Sequence, residues 1–153
     1  MNTVIFACVH DAGRSQMAAA FFNAMANPDL ARAVSVGAQP GRRVHPEVVE
    51  AMREVGIDLS QAKPQRITAE LAHGADLMIT MGWGDDRPLV PRLERYDWPL
   101  PDPKGQAIER VREIRDEIRS RVWRLVAAEG WYRLAGVKLP SRGENGPGSE
   151  IPT

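Results

Sequence analysis

Apolar and polar positions along this chain alternate between two periods. Val4 to Ala7 form a short apolar run ending at Cys8, the pattern of a strand buried on both faces. From Ser15 the spacing lengthens: Met17, Ala20, Phe21, Ala24 and Met25 recur at helical intervals until Asn27 and Pro28 stop the run. Ala33 to Val36 predicts a second strand before Gly37. Val48, Val49, Met52 and Val55 predict the inner face of a helix opened by His45 and Pro46 and closed at Gly56. Leu77 to Met81 reads as a third buried strand halted at Gly82, and Tyr96 to Trp98 as a short fourth flanked by prolines. The longest stripe, Ile108, Val111, Ile114, Ile118, Val122 and Leu125, predicts an amphipathic helix. Its arginines alternate with Glu109, Glu113, Asp116 and Glu117, as on a solvated helix side.

Strands alternating with helices predict an α/β fold: a doubly wound, mainly four-stranded parallel sheet with helices on both faces. Ligands in such folds bind at the carboxyl ends of the strands, so Cys8, Gly82 to Asp86 and Asp102 are expected on one rim. The 153 residues suit one domain, placed at residues 1–135. Residues 136–153 are rich in Gly, Pro, Ser and Glu, the composition of a disordered tail.

Charge narrows the class of partner. Twenty basic and twenty acidic residues leave a formal net charge of zero, so no global field recruits nucleic acid or an anionic membrane. Any anion recognition has to be local. The first apolar run, Thr3 to Val9, lacks a basic flank and is too short for a signal peptide or a membrane span, which predicts a cytoplasmic protein. One cysteine excludes an internal disulfide and a cysteine-rich zinc site. His10, His45 and His73 are too widely separated for metal-ligand spacing; no metal is expected, and His45 and His73 are given ordinary loop or surface roles.

The candidate chemistry lies in the segment Cys8, Val9, His10, Asp11, Ala12, Gly13, Arg14, Ser15, which joins the first strand to the first helix. A short loop in that position can aim successive backbone N–H groups at one point and make a nest for an anion. Gly13 allows a tight turn. The same dipoles favour the thiolate of Cys8, a nucleophile at neutral pH. Arg14, with five residues between it and the cysteine, can return a planar guanidinium over the loop and bind two oxyanion oxygens, and the Ser15 hydroxyl can donate to the sulfur. A bare Cys-x5-Arg spacing also fits a small buried cysteine ending a strand. Its position between an N-terminal strand and an amphipathic helix favours the nucleophile.

At these residues the sequence resembles the low-molecular-weight protein tyrosine phosphatase superfamily, and more closely its arsenate reductase branch, over about Met1 to Ala128. Arg14-Ser15-Gln16-Met17-Ala18, Met81-Gly82-Trp83-Gly84-Asp85 and Trp98-Pro99-Leu100-Pro101-Asp102-Pro103 are similar to reductase segments, and no tyrosine follows Asp102 as it usually does in the phosphatases. The resemblance implies that Cys8 attacks the oxyanion, that Arg14 clamps it, and that Asp102 protonates the departing oxygen. A carboxyl at the pocket mouth suits that role, although Asp102 between two prolines also suits a simple turn. Two positions depart from the family pattern. Asp11 stands where an asparagine amide usually helps to shape the loop, so negative charge is expected near both thiolate and oxyanion. Trp83 stands where many reductases have cysteine, and is expected to wall the pocket.

The expected activity is therefore reduction of arsenate through a Cys8 thiol–arsenate adduct. With no second cysteine in the chain, an external thiol must resolve that adduct. No tightly bound cofactor is expected; the co-substrate is a small thiol served by a glutaredoxin-like partner, and 17 arginines against three lysines favour mycothiol over glutathione through a GC-rich genome. Two alternatives stand beside it: a phosphatase hydrolysing a phosphocysteine at Cys8, and a non-catalytic oxyanion-binding or regulatory homologue, which Asp11 makes credible.

Overall fold

The computed structural model describes residues 1–83 and 93–133. In chain order these form β1 (Asn2–Cys8), α1 (Arg14–Met25), β2 (Ala31–Gly37), α2 (Pro46–Arg53), α3 (Ala69–His73), β3 (Leu77–Thr80), β4 (Glu94–Asp97) and α4 (Ile108–Glu129). The strands make one sheet in the order β2-β1-β3-β4, every pair parallel. β1 is central, which explains the unbroken burial of Val4 to Cys8.

The pleat divides β1 between two apolar layers. Val4, Phe6 and Cys8 face a large core built with Phe21, Phe22, Met52 and Ile118 from α1, α2 and α4. Phe6 and Phe22 meet edge to face at 6.1 Å between ring centroids. Ile5 and Ala7 face a smaller core with Val36, Met78 and Trp83, against which Leu71 of α3 packs. Helices thus cover both faces, as the alternation of elements predicts, but unequally.

Element boundaries shift for local reasons. Val55 and Gly56 lie in a turn past α2, where the Gly56 amide bonds the Arg53 carbonyl at 3.0 Å. β4 runs over Glu94–Asp97 instead of Tyr96 to Trp98 because pairing with Leu77–Thr80 sets its register; Trp98 extends the ladder by one bond to Thr80 O at 2.8 Å before Pro99. α3, five residues capped by the Thr68 hydroxyl, is too short to leave a periodic signal. One correction concerns α4. Arg115 is not on the solvated side: it is buried, bonding the Ala51 carbonyl at 2.9 Å, Glu54 at 2.8 Å and Asp116 at 2.8 Å. The expected tail at 136–153, and Gly84 to Asp86 of the expected rim, lie outside the described residues.

Candidate active site

The order β2-β1-β3 reverses direction at β1, so the crevice beyond the carboxyl ends of β1 and β3 is where an open parallel sheet offers a ligand site. β1 delivers Cys8 there, and Val9 to Gly13 cross to α1. Three backbone bonds fasten this loop from outside: the carbonyls of Val9, His10 and Ala12 accept from the amides of Gln39 at 2.8 Å, Gly41 at 2.9 Å and His45 at 2.9 Å. With the carbonyls drawn to that segment, the amides of His10 to Gly13 meet no protein acceptor among the described residues. α1 begins without a side-chain cap or an acidic residue in its first turn, so its dipole also faces the loop. Donors converging on one point make an anion nest.

Cys8 Sγ lies 2.9 Å from Ser15 Oγ, both groups buried. Arg14 is held over the rim: Nη1 donates to the Leu100 carbonyl at 2.9 Å, and Nη2 is 3.9 Å from Asp102 Oδ2. Gly82, just past β3, lies against the guanidinium. Its φ of 80° disfavours any side chain, and a Cβ there would overlap Arg14 Nη1. Gly37 makes the same kind of room at the end of β2, where a Cβ would come within 2.9 Å of the Asp11 amide nitrogen and the Val9 carbonyl oxygen.

Asp102 sits at the mouth, its side chain 48% exposed. Oδ1 accepts from the Lys104 amide at 3.0 Å, leaving Oδ2 toward Arg14. Its loop is anchored to the oxyanion loop by Leu100 on Arg14 and by Pro103, which packs against Gly13, and to α2 by Glu47 Oε2 accepting from the Gly105 amide at 2.7 Å. The turn residue and the candidate acid are one residue: the turn aims the carboxylate.

Asp11 is fully buried, with φ 49°. Oδ1 accepts from Ser15 Oγ at 2.7 Å and Oδ2 from the Gln65 amide at 2.9 Å, while its backbone carbonyl accepts from Gln16 Nε2 at 3.1 Å. Burial pushes its pKa up from 3.8 to about 6 against the opposing pull of the Gln65 amide and the Ser15, Ser35 and Gln16 side chains. The carboxylate therefore shapes the loop as an acceptor, bridging Ser15 to the segment after α2. His45, beside Gly13, is shifted the other way: desolvation lowers its pKa. His10 turns outward, Nδ1 donating to the Gln39 carbonyl at 2.9 Å.

The residues at the ends of β1, β3 and β4 thus converge: Cys8, Arg14, Ser15, Gly82 and Asp102. Trp83, expected to wall the pocket, packs in the smaller core with Ile5, Ala7, Val36 and Met78, 5% exposed. The contributions of the Gln39, Gly41, His45 and Gln65 amides and of the Leu100 carbonyl had no signal in the sequence, since every residue carries such groups. Glycines closing two apolar runs, Gly37 after Val36 and Gly82 after Met81, were the available hint of close approach.

The chain belongs to the low molecular weight phosphotyrosine protein phosphatase family, whose model matches residues 3–130. Within it, the chain is 41% identical over 121 residues to a provisionally assigned arsenate reductase of Halobacterium salinarum, spanning 76% of this chain and 85% of that protein. It is 35% identical over 130 residues to the glutaredoxin arsenate reductase of Synechocystis sp., spanning 83% of this chain and 98% of the relative. The structure of a thioredoxin-dependent arsenate reductase of Corynebacterium glutamicum superposes with a TM-score of 0.73 at 35% identity, over 84% of this chain and 61% of that longer one.

Proposed function

We propose that the protein reduces arsenate to arsenite by covalent catalysis at Cys8, with an external thiol as reductant. The observation that carries this reading is the joint placement of a lone cysteine sulfur, a loop of unengaged amides and a braced guanidinium at the end of the central strand.

Arsenate oxygens occupy the nest, held by the amides of the loop from His10 to Gly13 and by the two-pronged face of Arg14. The Cys8 thiolate attacks arsenic, a S–As bond forms, and an As–O bond breaks. Hydroxide is a poor leaving group, so Asp102 gives its proton and water departs. The resulting As(V) adduct is resolved by an external thiolate that attacks Sγ of Cys8. The new S–S bond forms, the S–As electron pair passes to arsenic, and arsenite leaves as As(III). A second external thiol then releases Cys8 from the mixed disulfide, so two thiols supply the two electrons.

The resolving thiol is external because the chain has one cysteine. Mycothiol with a glutaredoxin-like partner remains our proposal for its identity. Among the relatives, one is named for glutaredoxin and another as thioredoxin-dependent, which makes the reductant the variable part of this chemistry. We place the reaction in the cytoplasm; no helix among the described residues is long and apolar enough to cross a membrane.

The test is arsenite formation by the purified protein with arsenate and, in parallel, mycothiol, glutathione or thioredoxin with their recycling enzymes, together with mass spectrometry of Cys8. Mycothiol-dependent turnover with a mycothiol–Cys8 disulfide is expected. Multiple turnovers on thioredoxin alone would overturn the small-thiol assignment. The single cysteine also suits phosphoester hydrolysis, since a phosphocysteine at Cys8 needs only water and Asp102 and no second thiol. Aryl phosphate cleavage faster than arsenate reduction would favour that reading. Oxyanion binding without either turnover would point to a regulatory protein.

A further inference from the structure

Cys8, Ser15 and Asp11 form a buried chain of hydrogen bonds, Sγ to Oγ at 2.9 Å and Oγ to Oδ1 at 2.7 Å. An ionised carboxylate only accepts, and a hydroxyl has one hydrogen to give. While Asp11 is ionised, Ser15 must donate to Oδ1, and its lone pair faces the sulfur. That arrangement satisfies a thiol, whose S–H donates to Oγ, and opposes a thiolate. Once Asp11 carries a proton, every bond reverses: Oδ1–H donates to Oγ, and the Ser15 hydroxyl donates to the thiolate. The other carboxylate oxygen keeps its bond from the Gln65 amide at 2.9 Å in both states.

We propose that Ser15 and Asp11 are a proton relay for Cys8, so that the nucleophile forms by passing its proton through the serine hydroxyl to the buried carboxylate. The Sγ–H bond breaks as a new Oγ–H bond forms, and the original Oγ–H hydrogen moves to Oδ1. One proton changes residence and no electrons change oxidation state. The proton returns along the same path when Cys8 is released as a leaving group. Asp11 acts through Ser15 and is a positioning residue; the proposal rests on Cys8 being the reactive thiol.

Charge favours this state during the reaction. With Asp11 ionised, thiolate, carboxylate and a bound oxyanion would crowd one guanidinium, Arg14, in a buried loop. The other titratable or charged groups on the surrounding segments are exposed His10 in the loop, exposed Lys63 and Arg66 beside Gln65, with the Arg66 guanidinium on the Ala38 carbonyl, and half-buried His45 beside Gly13, whose pKa desolvation lowers. β2 contributes uncharged Ser35 and Gly37. Cys8 is thus the buried titratable partner of Asp11, and burial already holds this carboxyl above the ordinary carboxylate range before any anion arrives.

The experiment needs no arsenate turnover, so its failure is separable from failure of the functional assignment. The protein is titrated upward, and infrared spectra are taken at the pH where the ultraviolet absorbance of the Cys8 thiolate first develops and the Cys8–Asp11 pair still holds one proton. A protonated-carboxyl C=O band is expected, present together with the thiolate, lost in Asp11→Asn and lost at the same pH in Cys8→Ser, which has no proton to hand over. In Asp11→Asn, whose amide donates to Ser15 permanently, thiolate absorbance should develop at lower pH than in the wild type. A thiolate that forms with no protonated-carboxyl band, or a band that persists in Cys8→Ser, would overturn the relay. An unaltered thiolate titration in Asp11→Asn would reduce Asp11 to a loop-shaping acceptor.

Discussion

Replacing Asp11 by asparagine should stabilise the protein at neutral pH, by an amount that vanishes in acid. The side chain is fully buried and its folded pKa is raised from 3.8 to about 6. Between those values the folded protein holds a proton that the unfolded chain has released, so the unfolding free energy falls as pH rises. The favourable contribution is complete below about pH 4 and is lost through about pH 6. Roughly two pKa units at about 1.4 kcal/mol each amount to about 3 kcal/mol. Asparagine is isosteric, can accept from the Gln65 amide and donate to Ser15, and carries no charge to desolvate. The comparison is best made in a Cys8→Ser background, where no thiol titrates. Urea unfolding at intervals from about pH 4 to about pH 8 should show the two proteins nearly equal at the acid end, diverging through the middle, and separated by about 3 kcal/mol at the top. A separation independent of pH, or an aspartate protein more stable at neutral pH, would refute the reasoning.

Arg14→Lys keeps the charge but loses the fork that bonds Leu100 and faces the oxyanion, and should cost about 10- to 100-fold in kcat/KM for arsenate; steady-state kinetics decide, and a change under twofold would place the anion elsewhere. Asp102→Asn should slow adduct formation by about 10²–10⁴-fold with little change in phosphate affinity, read by rapid quench and by competitive inhibition. Gly82→Ala should destabilise by about 1–3 kcal/mol from its left-handed backbone, and weaken phosphate binding as the guanidinium is displaced. Calorimetry on the purified variant would show both effects or contradict the close packing.

Sequence periodicity carried most of the sheet because β1 is central and buried on both faces, so Val4 to Cys8 could not tolerate polar residues. The long stripe of α4 was legible for a similar reason, yet Arg115 within it was not. An arginine satisfied by Ala51, Glu54 and Asp116 looks in sequence like its solvated neighbours, and two of those partners, the Ala51 carbonyl and Glu54, lie at the end of α2 more than fifty residues away. At the candidate site Cys8 and Arg14 stood out by their spacing and Asp102 only through the family resemblance, and the topology brings them to one rim. Trp83 did not declare itself, because adjacency to Gly82 in sequence says nothing about which side of the sheet a side chain enters. The clamp of amides from Gln39 to His45 was invisible, being made of backbone alone. Asp11 was noticed as a charge out of place. Its direction of bonding, which makes it an acceptor for Ser15 and for the Gln65 amide, needed coordinates.

The most direct test of the central claim is a single-turnover reaction of the purified protein with excess arsenate and one equivalent of reduced mycothiol, without a recycling partner, quenched at intervals, with arsenite quantified and the protein mass recorded. The account predicts one arsenite per protein, formed together with one mycothiol disulfide on Cys8, and neither product from Cys8→Ser. Arsenite released at an undiminished rate by Cys8→Ser would contradict it.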